Sequence, residues 1–250
     1  MIKQGDCLKL MKEIPNGSVD MILTDLPYGI TDCAFDKRIP FEPMWEEFKR
    51  VTKHNAAIVL FSQMPFGAEL IMSNRKMFRY EWIWEKSLGV GFLNAKKMPL
   101  RCHENILVFY QKLPTYNQQK WKGKIHNRQI MTGRRSENYQ GGYGRYIYDN
   151  PTGERTPRDV IQCSTPRVLF GKGELYHSQQ KPTDLLEYLI KTYTNEGELV
   201  LDATIGSGST AVAAVNTGRH FIGFETEKRF CDIANERIEK ALTERSQALF

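Results

Sequence analysis

Glu198-Leu199-Val200-Leu201-Asp202-Ala203-Thr204-Ile205-Gly206-Ser207-Gly208-Ser209-Thr210 is the stretch whose reading decides the fold. An apolar run ends in a carboxylate, two glycines follow with one residue between them, and a small-residue segment, Ala211 to Thr217, stops at Gly218. That order predicts a buried strand, a tight turn and a helix. The next apolar run, His220 to Phe224, ends in a second acid, Glu225, and an amphipathic pattern then runs from about Glu227 toward the C-terminal region. Strand, helix and strand make a βαβ unit, so the chain reads as α/β with a mostly parallel sheet. Gly206 and Gly208 let the backbone approach a ligand closely, and the helix N-terminus behind them favours a negative group.

Glu225 follows Gly206 by 19 residues, close to the spacing at which an acid reaches ribose hydroxyls. One glycine of the dinucleotide fingerprint is missing and no Gly-Lys-Ser/Thr occurs, which argues against a dinucleotide or a triphosphate. A ligand with one ribose and a carboxylate fits better, and S-adenosylmethionine is such a ligand. Asp202 then faces its ammonium, directly or through water, while the turn amides and Thr210 receive its carboxylate.

The same rhythm extends to the other end of the chain. Residues 1 to 6 read as a short strand ending at Gly5-Asp6, Leu8, Met11 and Ile14 as a helical turn or two, and Val19 to Thr24 as an apolar strand carrying Asp25. Asp25-Leu26-Pro27-Tyr28-Gly29 closes that strand: Pro27 biases Leu26 toward an extended conformation, and an aromatic ring and a glycine complete the turn. A carboxylate and nearby carbonyls there can accept both hydrogens of an exocyclic amino group while the Tyr28 ring covers the base that bears it. Asp6 reads either as a helix N-cap or as a second carboxylate at the ligand-binding edge of the sheet. A helix around Met44, Trp45, Phe48 and Val51, a strand over 56–61, a helix opened by Pro65 through about Ser73, and strands over 78–84 and 105–109 follow. Between the last two lies a basic, glycine-bearing loop over 86–101 with Lys96, Lys97 and Arg101, either functional or simply solvated. Near the far end, Pro182 opens a helix with Leu185, Leu186, Leu189, Ile190 and Tyr193 on one face.

From 112 to 175 the composition changes. Twelve Lys/Arg stand against five Asp/Glu, a local excess of +7 beside +6 for the whole chain, so the remainder is near neutral. Tyr116, Trp121, Tyr139, Tyr143, Tyr146 and Tyr148 are interleaved with these cations, the mixture a nucleic-acid surface needs. The candidate contacts are Lys96, Lys97 and Arg101 in the first loop and Lys122, Lys124, Arg128, Arg134, Arg135, Tyr143 and Arg145 in the second stretch. A pI near 9.0 points to a polyanionic partner. No apolar run approaches the length of a bilayer and no signal-peptide layout opens the chain, so no membrane association and a cytoplasmic location are expected. Five singly spaced cysteines suggest reduced thiols, with neither a zinc site nor a disulfide framework.

These residues together resemble the DNA amino-methyltransferases. Asp202 to Thr210 is similar to their Asp-Pro-Phe-x-Gly-Ser-Gly-Thr-Thr cofactor motif, and Asp25-Leu26-Pro27-Tyr28 to their Asp-Pro-Pro-Tyr catalytic motif. The catalytic motif precedes the cofactor motif with a basic insertion between them, as in the β class. The likeness continues in Gly5-Asp6-Cys7, in His103-Glu104-Asn105-Ile106-Leu107-Val108-Phe109, in His177-Ser178-Gln179-Gln180-Lys181-Pro182 and in Phe221-Ile222-Gly223-Phe224-Glu225. It implies a Rossmann-like methyltransferase fold with helices on both faces of the sheet: a catalytic half over 1–111, an inserted target-recognition region over 112–172 and a cofactor-binding half over 173–250. It further implies methyl transfer from S-adenosylmethionine to N6 of an adenine in double-stranded DNA, by a monomer or homodimer, without a metal. Asp25, Leu26, Pro27 and Tyr28 would be catalytic. Asp6, Cys7, Asp25, His177, Lys181, Asp202, Ala203, Thr204, Gly206, Ser207, Gly208, Ser209, Thr210 and Glu225 would surround the cofactor, with Asp6 at its adenine, Glu225 at its ribose, and His177 and Lys181 closing its methionine end. Two departures stand out: Leu26 replaces the first proline of the catalytic motif, and Ala203-Thr204 replaces Pro-Phe. Cytosine-N4 methylation, or a nucleic-acid-binding module on the same fold with catalysis weakened, are the alternative readings.

Overall fold

The computed structural model describes residues 1–29, 37–132, 145–165, 176 and 179–248. In chain order the elements are β1 (Ile2–Gln4), α1 (Cys7–Met11), β2 (Val19–Asp25), α2 (Phe41–Val51), β3 (Thr52–Ser62), α3 (Phe66–Ser73), β4 (Phe78–Val90) and β5 (Arg101–Phe109). There follow β6 (Trp121–Lys122), β7 (His126–Thr132), β8 (Arg145–Asn150), β9 (Glu154–Arg155) and β10 (Val160–Cys163). The chain continues with α4 (Thr183–Tyr193), β11 (Leu199–Asp202), α5 (Ser209–Asn216), β12 (His220–Glu225) and α6 (Lys228–Ala248). They form two compact units, one of Met1–Asn117 with Asp159–Phe250 and one of Gln118–Arg158.

The larger unit is built on one sheet in the order β1-β12-β11-β2-β3-β5-β4-β10. Only β5 runs antiparallel to its neighbours, and every other pairing is parallel. A parallel sheet needs both faces covered, and the alternation along its strands supplies the two faces. Ile22, Ile58, Leu60, Leu107, Leu201 and Phe224 point into a core shared with α1, α2 and α3, where Met11, Met44, Phe48 and Leu70 are closed to solvent. Met21, Leu23, Val59, Phe61, Ile106, Val108 and Val200 point the other way, onto Leu185, Leu186, Leu189, Ile190 and Tyr193 of α4 and Ala213 and Ala214 of α5. Each such buried aliphatic or aromatic side chain stabilises the fold by about 1.5–3 kcal/mol. No helix among the described residues is long and apolar enough to cross a membrane.

Two regions differ from the sequence expectation. The loop expected over 86–101 is shorter than expected: β4 continues to Val90 and β5 begins at Arg101, which pairs with Val90, leaving 91–100 as the connection at the tip of a two-stranded arm. Beyond Lys86 the arm is largely exposed, so Ser87–Val90 carry no buried period to betray a strand. The stretch 112–172 is also not uniform. Gln118–Arg158 forms the second unit, built from the antiparallel ribbons β6–β9 and β7–β8, whereas β10 rejoins the main sheet beside β4.

The topology fixes where a ligand belongs. From β11 the chain crosses through α5 to β12 on one side, and from β2 it crosses through α2 to β3 on the other. The carboxyl ends of β11 and β2, Asp202 and Asp25, therefore flank the point where the crossovers diverge, the crevice in which open α/β sheets bind ligands.

Candidate active site at the carboxyl edge of the sheet

Asp25 ends β2 half-buried, and both of its oxygens are engaged. The Tyr28 hydroxyl donates to Oδ1 at 2.7 Å and the Lys181 ammonium donates to Oδ2 at 2.6 Å. Leu26 turns its side chain into the core at 3% exposure, which explains why an aliphatic residue stands there. The Tyr28 ring packs against Phe66, centroids 4.9 Å apart, and its carbonyl accepts from Arg38 Nε at 2.7 Å, so the turn after Asp25 is tied to α3.

Lys181, expected to help close the methionine end of a cofactor, is buried between two carboxylates. Its Nζ lies 3.3 Å from Glu104 Oε2 as well as against Asp25, and Lys86 pairs with Glu104 Oε1. Burial by itself would lower the Lys181 pKa, but Asp25 and Glu104 outweigh it and hold the ammonium above its ordinary value. Burial would likewise raise the Glu104 carboxyl, yet Lys181 and Lys86 keep it below the usual carboxylate range. Sequence reasoning assigned no role to Glu104 or Lys86. The available signal was an acid embedded at the head of the apolar run Ile106–Phe109.

Asp202 presents the opposite case. It is 4% exposed, accepts from the Thr204 amide at 3.1 Å and from the Thr210 and Thr24 hydroxyls, and has no cation beside it among the described residues. Burial pushes its carboxyl up to about 6, against the pull of those hydrogen bonds. The turn that follows is shaped by its glycines. Gly206 has φ +52 and a side chain there would meet nothing within 4 Å, so the turn is open in front of it. Gly208 has φ +84, and a Cβ would sit 2.7 Å from that of Ala234 in α6, so both conformation and packing demand glycine. Ala203 is buried, and the Thr204 hydroxyl, where the resembling motif has a ring, donates to the Asp25 carbonyl at 2.9 Å and meets the Thr24 hydroxyl at 2.8 Å. Thr204 thus stitches the ends of β11 and β2 together.

Glu225 accepts the Gly206 amide at 3.0 Å and the Glu227 amide at 2.9 Å. Asp6 is exposed and caps α1 through the Lys9 amide at 3.0 Å, one residue beyond Gly5, whose amide bonds to the Glu225 carbonyl. Its capping role leaves lone pairs for a ligand. Cys7 is buried at the start of α1, and its thiol is pushed up to about 11 by burial and then by the Asp6 charge. Arg237 of α6, which no sequence signal singled out, donates to the Ser207 carbonyl and reaches the Ser207 and Ser209 hydroxyls, each at 3.2 Å. It holds the Gly-rich turn from behind. The set fits S-adenosylmethionine: a buried carboxylate lacking a cation for an ammonium, an open glycine turn for close approach, and an acid at the next strand end for ribose hydroxyls.

Among the candidate nucleic-acid contacts, Lys96, Lys97 and Arg101 are exposed at the tip and base of the β4–β5 arm. Lys122 on β6, Lys124, Arg128 on β7 and Arg145 on β8 belong to the second unit. Arg134, Arg135, Tyr143 and His177 lie outside the described residues.

A family model described as DNA methylase matches residues 19–236 of this chain. The type II methyltransferase M.BglII of Bacillus subtilis is 30% identical over 93% of this chain and 67% of its own length. The DNA adenine methyltransferase YhdJ of Escherichia coli (strain K12) is 29% identical over 96% of this chain and 83% of its own. Among solved structures, M1.HpyAVI in complex with SAM superposes with a TM-score of 0.64 at 21% identity, covering 95% of this chain and 98% of that one, a likeness of fold.

Proposed function

The chain belongs to the DNA methylase family, and from that premise we propose that it transfers the methyl group of S-adenosylmethionine to N6 of an adenine flipped out of double-stranded DNA. The observation that carries the reading is Asp25: a carboxylate with fixed partners at the end of β2, next to a glycine turn whose own carboxylate, Asp202, has no cation among the described residues. The adenine choice rests on Asp at position 25 and on the name of the relative YhdJ.

The bound cofactor supplies an electrophilic methyl group on a sulfonium. Asp202 would pair with its ammonium; the amides of the 206–209 turn other than those of Gly206 and Gly208, which are bonded to Glu225 and to the Ile205 carbonyl, would meet its carboxylate together with Thr210; and Glu225 and Asp6 would meet its ribose and adenine. An amino nitrogen inside a duplex cannot reach that methyl, so the base is flipped into the crevice, where Tyr28 stacks on it. Asp25 and the Leu26 carbonyl accept the two amino hydrogens. This draws the lone pair out of the ring and directs it along the line of attack. As the new N–C bond forms and the S–C bond breaks, the nitrogen sheds one proton toward Asp25. The methylated cation is acidic, so a carboxylate partnered by Lys181 suffices as acceptor.

The basic arm and the Gln118–Arg158 unit are proposed to hold the DNA, with Lys and Arg on phosphates and Tyr and Trp at bases. The enzyme would act in the cytoplasm as a modification enzyme of the type II kind, as its relatives are named. Incubating purified protein with labelled cofactor and mixed-sequence duplex, then separating nucleosides, tests the reading. Label is expected in N6-methyladenine; label confined to N4-methylcytosine, or none at all, would sink it.

A further inference from the structure

We infer that Glu104 is a positioning residue for methyl transfer: with Lys86 behind it, Glu104 holds the Lys181 ammonium against Asp25 and so sets the direction in which Asp25 faces the substrate amino group. The inference rests on the function proposed above and adds residues that touch neither substrate nor cofactor. Four charges alternate in a row, Asp25, Lys181, Glu104 and Lys86, drawn from β2, the residue before α4's Pro182 cap, β5 and β4. Three of the four are nearly closed to water, with 8% of the Lys181 and Lys86 side chains exposed and 4% of Glu104. A charge buried there without its neighbour is costly, which favours keeping the row intact.

An ammonium on a flexible four-carbon stem has little directional preference of its own. Here it is trapped, 2.6 Å from Asp25 Oδ2, 3.3 Å from Glu104 Oε2 and 5.2 Å from the centre of the Phe61 ring. Glu104 is itself held on its other oxygen by Lys86 and by Gln63 Nε2 at 3.3 Å, and Lys86 lies 4.9 Å from the centre of the Trp84 ring. Without Glu104, Lys181 loses the anchor that opposes Asp25, and the carboxylate is free to turn with it. The amino nitrogen must meet the methyl group in line, so that turn is felt in the rate of transfer and not in cofactor binding.

The test is a double-mutant cycle on the full chain, read by single-turnover methyl transfer to mixed-sequence duplex DNA, by calorimetric binding of S-adenosylmethionine and by thermal unfolding. Glu104→Gln is expected to lower the transfer rate about tenfold or more while cofactor affinity stays within about threefold and the protein still melts cooperatively. Glu104→Asp, which keeps the charge, recovers part of the rate. In a Lys181→Met background, Glu104→Gln changes the rate by less than about twofold, because its effect runs through Lys181. Where Glu104→Gln does not fold, Glu104→Asp takes its place in the cycle, with a loss of about threefold that vanishes in the Lys181→Met background. An unchanged rate in folded Glu104→Gln, or an equal loss in both backgrounds, overturns the inference. If the unsubstituted protein puts no label into adenine, the proposed function fails; if it labels adenine but the cycle shows no coupling, only the positioning role fails.

Discussion

Asp25 and Asp202 close adjacent parallel strands on the same edge of the sheet, and their surroundings are electrically opposite. Asp25 has an ammonium on one oxygen and a phenol on the other. Asp202 is more deeply buried, yet among the described residues it meets only hydroxyls and one amide, and burial raises its carboxyl to about 6 against their pull. One carboxylate is completed by the protein itself, and the other has its desolvation cost offset only when a cation arrives. A shift of that size corresponds to about 3 kcal/mol between the two protonation states. The difference teaches how one edge divides its labour: a fixed acceptor for the reacting group, and a waiting acceptor for the cofactor.

Asp25→Asn should show the largest effect. It removes the fixed acceptor and is expected to cut methyl transfer by about 10²- to 10³-fold with cofactor affinity nearly unchanged. Equal loss in rate and in cofactor binding, measured by single turnover and calorimetry, would erase the division. Asp202→Asn should do the reverse, weakening cofactor binding about tenfold to a hundredfold through loss of a charged partner. It should also raise the melting temperature of the cofactor-free protein by a few degrees at neutral pH, since an uncompensated buried charge is gone; a lower melting temperature would contradict the reading of Asp202.

The pH dependence sharpens the same contrast. The Asp202 carboxyl binds its proton more tightly folded than unfolded, so its contribution to stability is present at low pH and is lost as pH rises from about 4 through about 6. Cofactor binding runs the other way and should strengthen about tenfold between about pH 5 and about pH 7, then level off. Titration calorimetry across that range checks it, and Asp202→Asn should flatten the curve. The smallest effect belongs to Tyr28→Phe, which keeps the ring and removes the 2.7 Å hydrogen bond to Asp25. A rate loss of about threefold to tenfold is expected in single-turnover assays, in line with one hydrogen bond to a charged group.

Much of this edge was legible in the amino-acid order. The Asp202–Thr210 turn, the acid Glu225 and the Asp25–Tyr28 strand end are all local signals, each carried by residues close in sequence, and all lie on one edge of the sheet as expected. The Leu26 departure is accounted for by packing, since its side chain serves the core. The extension of β4 to Val90 and the start of β5 at Arg101 escaped the sequence because largely exposed strand ends lack a burial period, while 91–100 is the connecting loop expected there. The ribbons of the second unit escaped notice for the same reason, β6 being exposed throughout.

By itself, then, the sequence determined the α/β rhythm, the glycine turn and which two strand tips carry carboxylates, because hydrophobic period and turn chemistry act within a few residues. The tertiary structure alone decided what each carboxylate meets. Lys181 reaches Asp25 across 156 positions of chain, and Glu104 and Lys86 join them from the two strands of the arm. Nothing near Lys181 in the chain foretold those partners: an ammonium taken out of water settles against the carboxylates that can keep it charged.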